Sequence, residues 1–160
     1  TEAANPAKTG TKAAARYAVF LDLAFRYHFH PIAVHVPNGV VPISLLFILL
    51  GALFGSENLG IAAAYNTIFV ALFMPVVLWS GYLHWMHRFK AARTRLFTTK
   101  IACGIGLQAL SLVAAIWYLV DPGIALQPTL LYVTIHLTML VLGGVAGFLG
   151  GRLVFNRPRP

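Results

Sequence analysis

Six histidines in a chain otherwise poor in polar groups mark where chemistry should be sought. His30 and His35 open an apolar run as "HPIAVHVP", and His84 and His87 close another as "LHWMHR". Imidazole nitrogens ligate haem iron and other transition metals, and they exchange protons near neutral pH. His84 and His87 stand three residues apart, so a helix places them on one face. At a helical rise of 1.5 Å per residue, His35 lies about 5 Å beyond Ile32 and His84 about 6 Å from Arg88. Two oppositely directed helices would then present imidazoles at one depth. Gly39 follows His35 by one turn, and Ser80 and Gly81 adjoin His84, leaving gaps for a flat macrocycle. This pattern predicts a b-type haem with His35 and His84 as axial metal ligands, and His87 and His30 as substitutes or supporting groups. Arg26, Arg88 and Lys100 would pair with the haem propionates.

Other readings of these histidines stay open. Near a membrane boundary they can hydrogen-bond headgroups, water or carbonyls freed by prolines, or they can serve a quinone or a transition metal. His28 fits a structural role. His136 lies sixteen residues from Arg152, about 24 Å by helical rise, too far to share an iron with His35. It suits a hydrogen bond to a neighbouring helix or to a quinone carbonyl. A second haem in the outer half would need another ligand there, and Met74 and Met139 are the side chains of a suitable kind.

The elements that must position these groups follow from composition. Of 160 residues, 59% are apolar and 10% charged, against roughly one-quarter charged in soluble proteins. Apolar spans are expected at about residues 31–55, 61–87, 101–120 and 128–151, each long enough for about 30 Å of hydrocarbon. The fold class is therefore all-α, a four-helix transmembrane bundle with an N-terminal interfacial amphipathic helix. The expected order is a flexible segment at 1–10, the amphipathic helix at 11–29, the bundle at 30–155 and a tail at 156–160. All twelve Lys and Arg fall on one side of these spans, whereas the loops "GSENLG" and "DPGIALQP" carry only Glu57 and Asp121. The positive-inside rule then places both termini in the cytoplasm. The net charge of +8 reads as topology and contact with membrane lipid, not as nucleic-acid binding. The polar opening "TEAANPAKTG" does not resemble a cleavable signal peptide.

Pro37, Pro42 and Pro75 should kink two spans, which neighbours must compensate. Gly143, Gly147 and Gly151 form a small-residue ridge for close helix packing. One cysteine, Cys103, excludes an internal disulfide. The predicted spans contain no Asp or Glu, so paired-acid proton transport is not expected. Ser44, Ser80 and Ser111 sit in different spans and form no hydrolytic constellation.

The residues His30, Pro31, Val34, His35 and Pro37 resemble the H-P-x-x-V-H-x-P signature of the domain-of-unknown-function 2231 family of small four-span bacterial membrane proteins. Gly81 to Trp85 is similar to that family's G-x-x-[acid]-W stretch, and "GGRLVF" at Gly150 to Phe155 resembles its terminal motif. The resemblance implies the bundle and the importance of His30 and His35. The chain departs from the pattern at His84, where members usually carry an acid, and at Lys100, near where many place a histidine.

Together these features point to a cytochrome-like electron-transfer subunit that links a quinone pool to a partner redox protein within a larger membrane complex. It would be part of an oxidoreductase assembly and not a stand-alone enzyme. The alternative is a non-catalytic assembly or anchor subunit. Transfer of a soft metal through the histidines is a third possibility.

Overall fold

The structure, a computed structural model, describes residues 17–19, 22, 23 and 26–155, with side chains through residue 153. The expected flexible segment, most of the amphipathic helix and the tail lie outside the described residues. Tyr17, Val19 and Leu23 are exposed.

Five α-helices follow in chain order: α1 (Phe29–Ala33), α2 (His35–Phe54), α3 (Glu57–Arg88), α4 (Arg95–Val120) and α5 (Leu130–Phe155). A short 3-10 helix, Pro122–Ala125, joins the last two. Four stretches are long and apolar enough to cross a membrane: Phe29–Phe54, Glu57–Arg88, Arg95–Val120 and Leu130–Leu153. Helix α2 packs on α3 and α5, and α4 packs on the same two, giving a four-sided bundle of alternating direction. Arg88, Lys90, Arg93, Arg95 and Arg152 gather at one end, here the basic end, while Glu57 and Asp121 mark the other. Two helices begin earlier than the hydropathy pattern suggests, at Glu57 and Arg95 instead of near 61 and 101. Charged side chains in a first turn can reach the interface, so the helix outlasts the apolar run. Lys100 consequently lies within α4.

Small residues set the spacing. A Cβ on Gly51 would stand 3.2 Å from the Gly60 amide nitrogen, and one on Gly60 would collide with the Ala125 carbonyl of the 3-10 helix. Between these contacts, Val41, Ile48, Val70, Met74, Leu107 and Met139 fill the centre. Such packing supplies dispersion contacts that lipid tails cannot match in shape. Leu53, Leu72, Val120 and Leu130 face outward.

The prolines explain two irregularities. Pro37 has no N–H for the Ala33 carbonyl, and the helix is interrupted at Val34 just before it. Pro75 likewise leaves the Ala71 carbonyl without its partner four residues on. There the Gln108 side-chain amide reaches over from α4 and donates to Ala71 O at 3.2 Å. Replacing Gln108 by leucine should lower stability by about 1 kcal/mol, the usual scale of an interhelical hydrogen bond in a membrane. Pro75→Ala, which restores the backbone donor, should recover most of that loss. Unfolding in mixed micelles of the two single variants and the double variant checks the coupling.

Candidate functional site

The interruption at Val34 separates the two histidines of "HPIAVHVP". His30, on α1, points into the bundle against α3. Its Nδ1 lies 3.0 Å from Ser80 Oγ, and Ser80 in turn lies 3.0 Å from the Val77 carbonyl. A hydroxyl has one proton; with that proton on Val77 O, His30 Nδ1–H donates to the Ser80 oxygen. The His30 and His84 rings meet edge to face at 5.7 Å between centroids. His84 continues to Phe89 at 5.6 Å, and Phe89 to Phe97 of α4 at 4.9 Å.

The space beside Gly81 is taken by His30, because a Cβ there would stand 2.9 Å from His30 Cε1. Among the described residues, no group of three His, Cys, Asp or Glu side chains is placed to hold a metal ion.

His35 stands apart from that cluster. Its side chain is exposed, and its Nδ1–H donates to the Pro31 carbonyl at 2.6 Å. That bond fixes the tautomer and leaves Nε2 as an outward-facing acceptor, the orientation second-shell carbonyls give to ligating or proton-accepting histidines. His35 is exposed on α2, while His84 packs on His30 and Phe89.

One turn farther along the same face, Asn38 opens onto a groove of about 270 Å³ between α2 and α5. Pro37, Val41, Pro42 and Leu140 form its walls, and Gly143, Gly144 and Gly147 form its floor. Asn38 Nδ2 would lie 3.2 Å from a Cβ at Gly147, so the glycine ridge is what admits the amide. Pro42 cannot donate to the main-chain carbonyl of Asn38, four residues earlier. The groove thus combines an apolar, glycine-lined floor with the side-chain amide of Asn38, and His35 lies one turn before Asn38 on the same helix.

The remaining residues are placed as follows. Gly39 has open space where a side chain would project. His87 and Arg88 are exposed at the basic end of α3, as are Arg26 and His28 ahead of α1. His136 is completely buried; it bonds Tyr132 O at 2.9 Å through Nδ1 and meets Thr67 Oγ1 at 2.9 Å through Nε2. Of the two hydrogen-bonding roles open to His136, the contact to a neighbouring helix is present, at Thr67 of α3. Met74 and Met139 are core residues.

The family model described as "Predicted membrane protein (DUF2231)" matches residues 26–157. The chain belongs to this family. The matched range of this DUF2231 chain takes in all four spanning helices and both histidines of the opening stretch. No match was found among the curated proteins or among the solved structures.

Asn38 is the site residue that sequence reasoning passed over. Its signal was present: an amide within an uncharged span, one turn from His35 and four residues before a proline. Polar side chains at such depth are costly unless they meet a partner or a ligand.

Proposed function

We propose that the protein is a membrane subunit that binds a quinone in the groove between α2 and α5 and links the quinone pool to a partner redox protein. The observation that carries this reading is the outward imidazole of His35, held by Pro31 O and followed one turn later by Asn38 above a glycine floor. A quinone ring is flat, apolar in its body and polar at two oxygens. The floor of Gly143, Gly144 and Gly147 suits its face, while Asn38 Nδ2–H suits a carbonyl oxygen. For the quinol, His35 Nε2 is an acceptor near the membrane boundary. On oxidation, quinol releases two electrons to the partner's redox centre and two protons, one to His35 Nε2 and the other to boundary water. The Pro31 carbonyl then stabilises the imidazolium through Nδ1–H. In this reading the basic end faces the cytoplasm of a bacterial inner membrane, following the distribution of Lys and Arg.

The experiment is a titration of the purified protein, in neutral-lipid nanodiscs, with a short-chain quinone, followed by tryptophan fluorescence. Asn38→Leu, which keeps the size and removes the amide, should weaken binding by about tenfold, the scale of one desolvated hydrogen bond. Equal affinity in the variant and the parent would remove the groove from consideration. A Soret band that shifts on reduction and disappears in His84→Ala would restore haem in place of quinone.

A second reading is an anchor or assembly subunit, favoured by the filled interior around His30 and by a glycine-floored groove able to seat a partner helix. It predicts a colourless protein, indifferent to quinone, that co-purifies with a larger membrane complex only while Gly143 and Gly147 remain small.

A further inference from the structure

A second groove, of about 360 Å³, lies between the basic end of α3 and the first half of α4, at the seam of the four-sided bundle opposite the α2–α5 groove. Trp85 of α3 and Ile101 and Ile105 of α4 line its length, and Ala92 and Arg93 of the connecting turn line its mouth. That turn has an unusual backbone. Lys90 and Ala91 have φ of 48° and 54°, a left-handed conformation that L side chains disfavour. Hydrogen bonds hold it there. Trp85 Nε1–H donates to the Ala92 carbonyl at 2.9 Å, Ala91 N–H donates to the Trp85 carbonyl at 3.2 Å, and Ala92 N–H donates to the Phe89 carbonyl at 2.9 Å. The indole thus spends its donor on the turn, fixes where Arg93 follows, and offers the groove carbon surface.

Polarity changes along the groove. Arg93 is exposed in the connection between two spans, whereas Ile101 and Ile105 are exposed within the Arg95–Val120 span. From Phe97, at the inner wall, to Ile105 the trough follows α4 for about 12 Å by helical rise. A guanidinium at the water boundary presents several donors to a phosphate, and the apolar trough leads from it into the hydrocarbon layer. An acyl chain joined to a phosphate has that same order of parts. A free anion would gain nothing from the trough, and an apolar partner helix would gain nothing from the guanidinium.

We propose that the α3–α4 groove binds an anionic phospholipid, with its phosphate on Arg93 and an acyl chain laid against Trp85, Ile101 and Ile105. The proposal is independent of the quinone reading, which concerns the opposite seam.

Native mass spectrometry of the full chain, released from nanodiscs containing equal phosphatidylglycerol and phosphatidylcholine, tests it. The parent should retain phosphatidylglycerol preferentially, and Arg93→Gln should lower that retention about tenfold, the scale of one charge-assisted hydrogen bond. Ala102→Phe, which fills the groove from α4 without changing charge, should lower it as well. Arg152→Gln removes the same charge from the basic end but on α5, outside the groove, and should retain the lipid as the parent does. Arg93 and Ala102 are both exposed, so neither substitution leaves an internal void. Equal losses in Arg93→Gln and Arg152→Gln would mean diffuse attraction to the basic end and would overturn the proposal. So would a parent without preference for the anionic lipid, unchanged retention in Arg93→Gln, or a dimer that Ala102→Phe dissociates, which would put a second copy of the chain in the groove.

Discussion

Gly60→Val is expected to abolish the native bundle at ordinary temperatures. The position is closed by one neighbour: the Ala125 carbonyl lies where the first side-chain carbon would go. That obstacle is backbone, so no rotamer change relieves it. Moving the 3-10 helix away would uncover Ile124 and Ala125, both buried, and would loosen the tie between α4 and α5. Forced insertion into a packed core typically costs 1–3 kcal/mol even when side chains can yield; here about 3 kcal/mol or more is expected. Gly60→Ala should show a smaller loss of the same sign. Thermal unfolding by circular dichroism and the yield of monodisperse protein measure both. A Gly60→Val protein melting within a few degrees of the parent would contradict the close approach of the 3-10 helix. Gly55, whose φ is +63° but whose side-chain space is open, provides the control. Its substitution should cost about 1 kcal/mol through backbone strain alone.

The second large effect is functional and separates two histidines that the sequence presents alike. With an electron acceptor supplied, His35→Ala should slow quinol oxidation by about 10² to 10⁴-fold, the range for loss of a positioned general base. His84→Ala should alter it much less, since His84 is packed on His30 and Phe89 and not turned to the groove. His35→Gln is the informative companion, because it keeps an acceptor near Pro31 without a titratable ring. Quinone binding should survive in that variant while the rate remains low. If both alanine variants lose activity equally, the two histidines act on one group, and the assignment of His35 to the outer face fails as an account of function. Folded content should be matched first; His35 is exposed, so its removal leaves no internal void.

Much of the architecture could be read directly from the amino acids. Uncharged runs and the one-sided distribution of Lys and Arg gave four spans and their alternating direction, because hydrocarbon thickness and charge cost leave little choice. The need to compensate Pro75 was equally legible, although nothing local named Gln108 as the donor; thirty-seven residues separate Gln108 from Ala71. The site was less legible for a specific reason. Depth along a helix follows from residue number, and matched depth alone suggested pairing His35 with His84. Direction around the helix also matters. The buried stripe of α2 runs through Pro37, Val41, Ser44, Leu45 and Ile48, and two residues at about 100° each put His35 about 160° away from Pro37. That periodicity was available beforehand and would have turned His35 outward. The filling of the Gly81 gap by His30 was not available, since it depends on how α1 is set against α3 after the break at Val34.

The bond from Gln108 to Ala71 has a mechanical consequence. If α4 slid one turn along α3, about 5.4 Å, the amide would leave the single carbonyl that Pro75 strips of its backbone donor, and hydrocarbon offers no replacement. Piston-like displacement between these two helices is thereby opposed at the middle of the membrane. The register of α3 against α4 is favoured over its neighbours by one buried hydrogen bond, which tilts any rearrangement of the bundle toward its other helix seams.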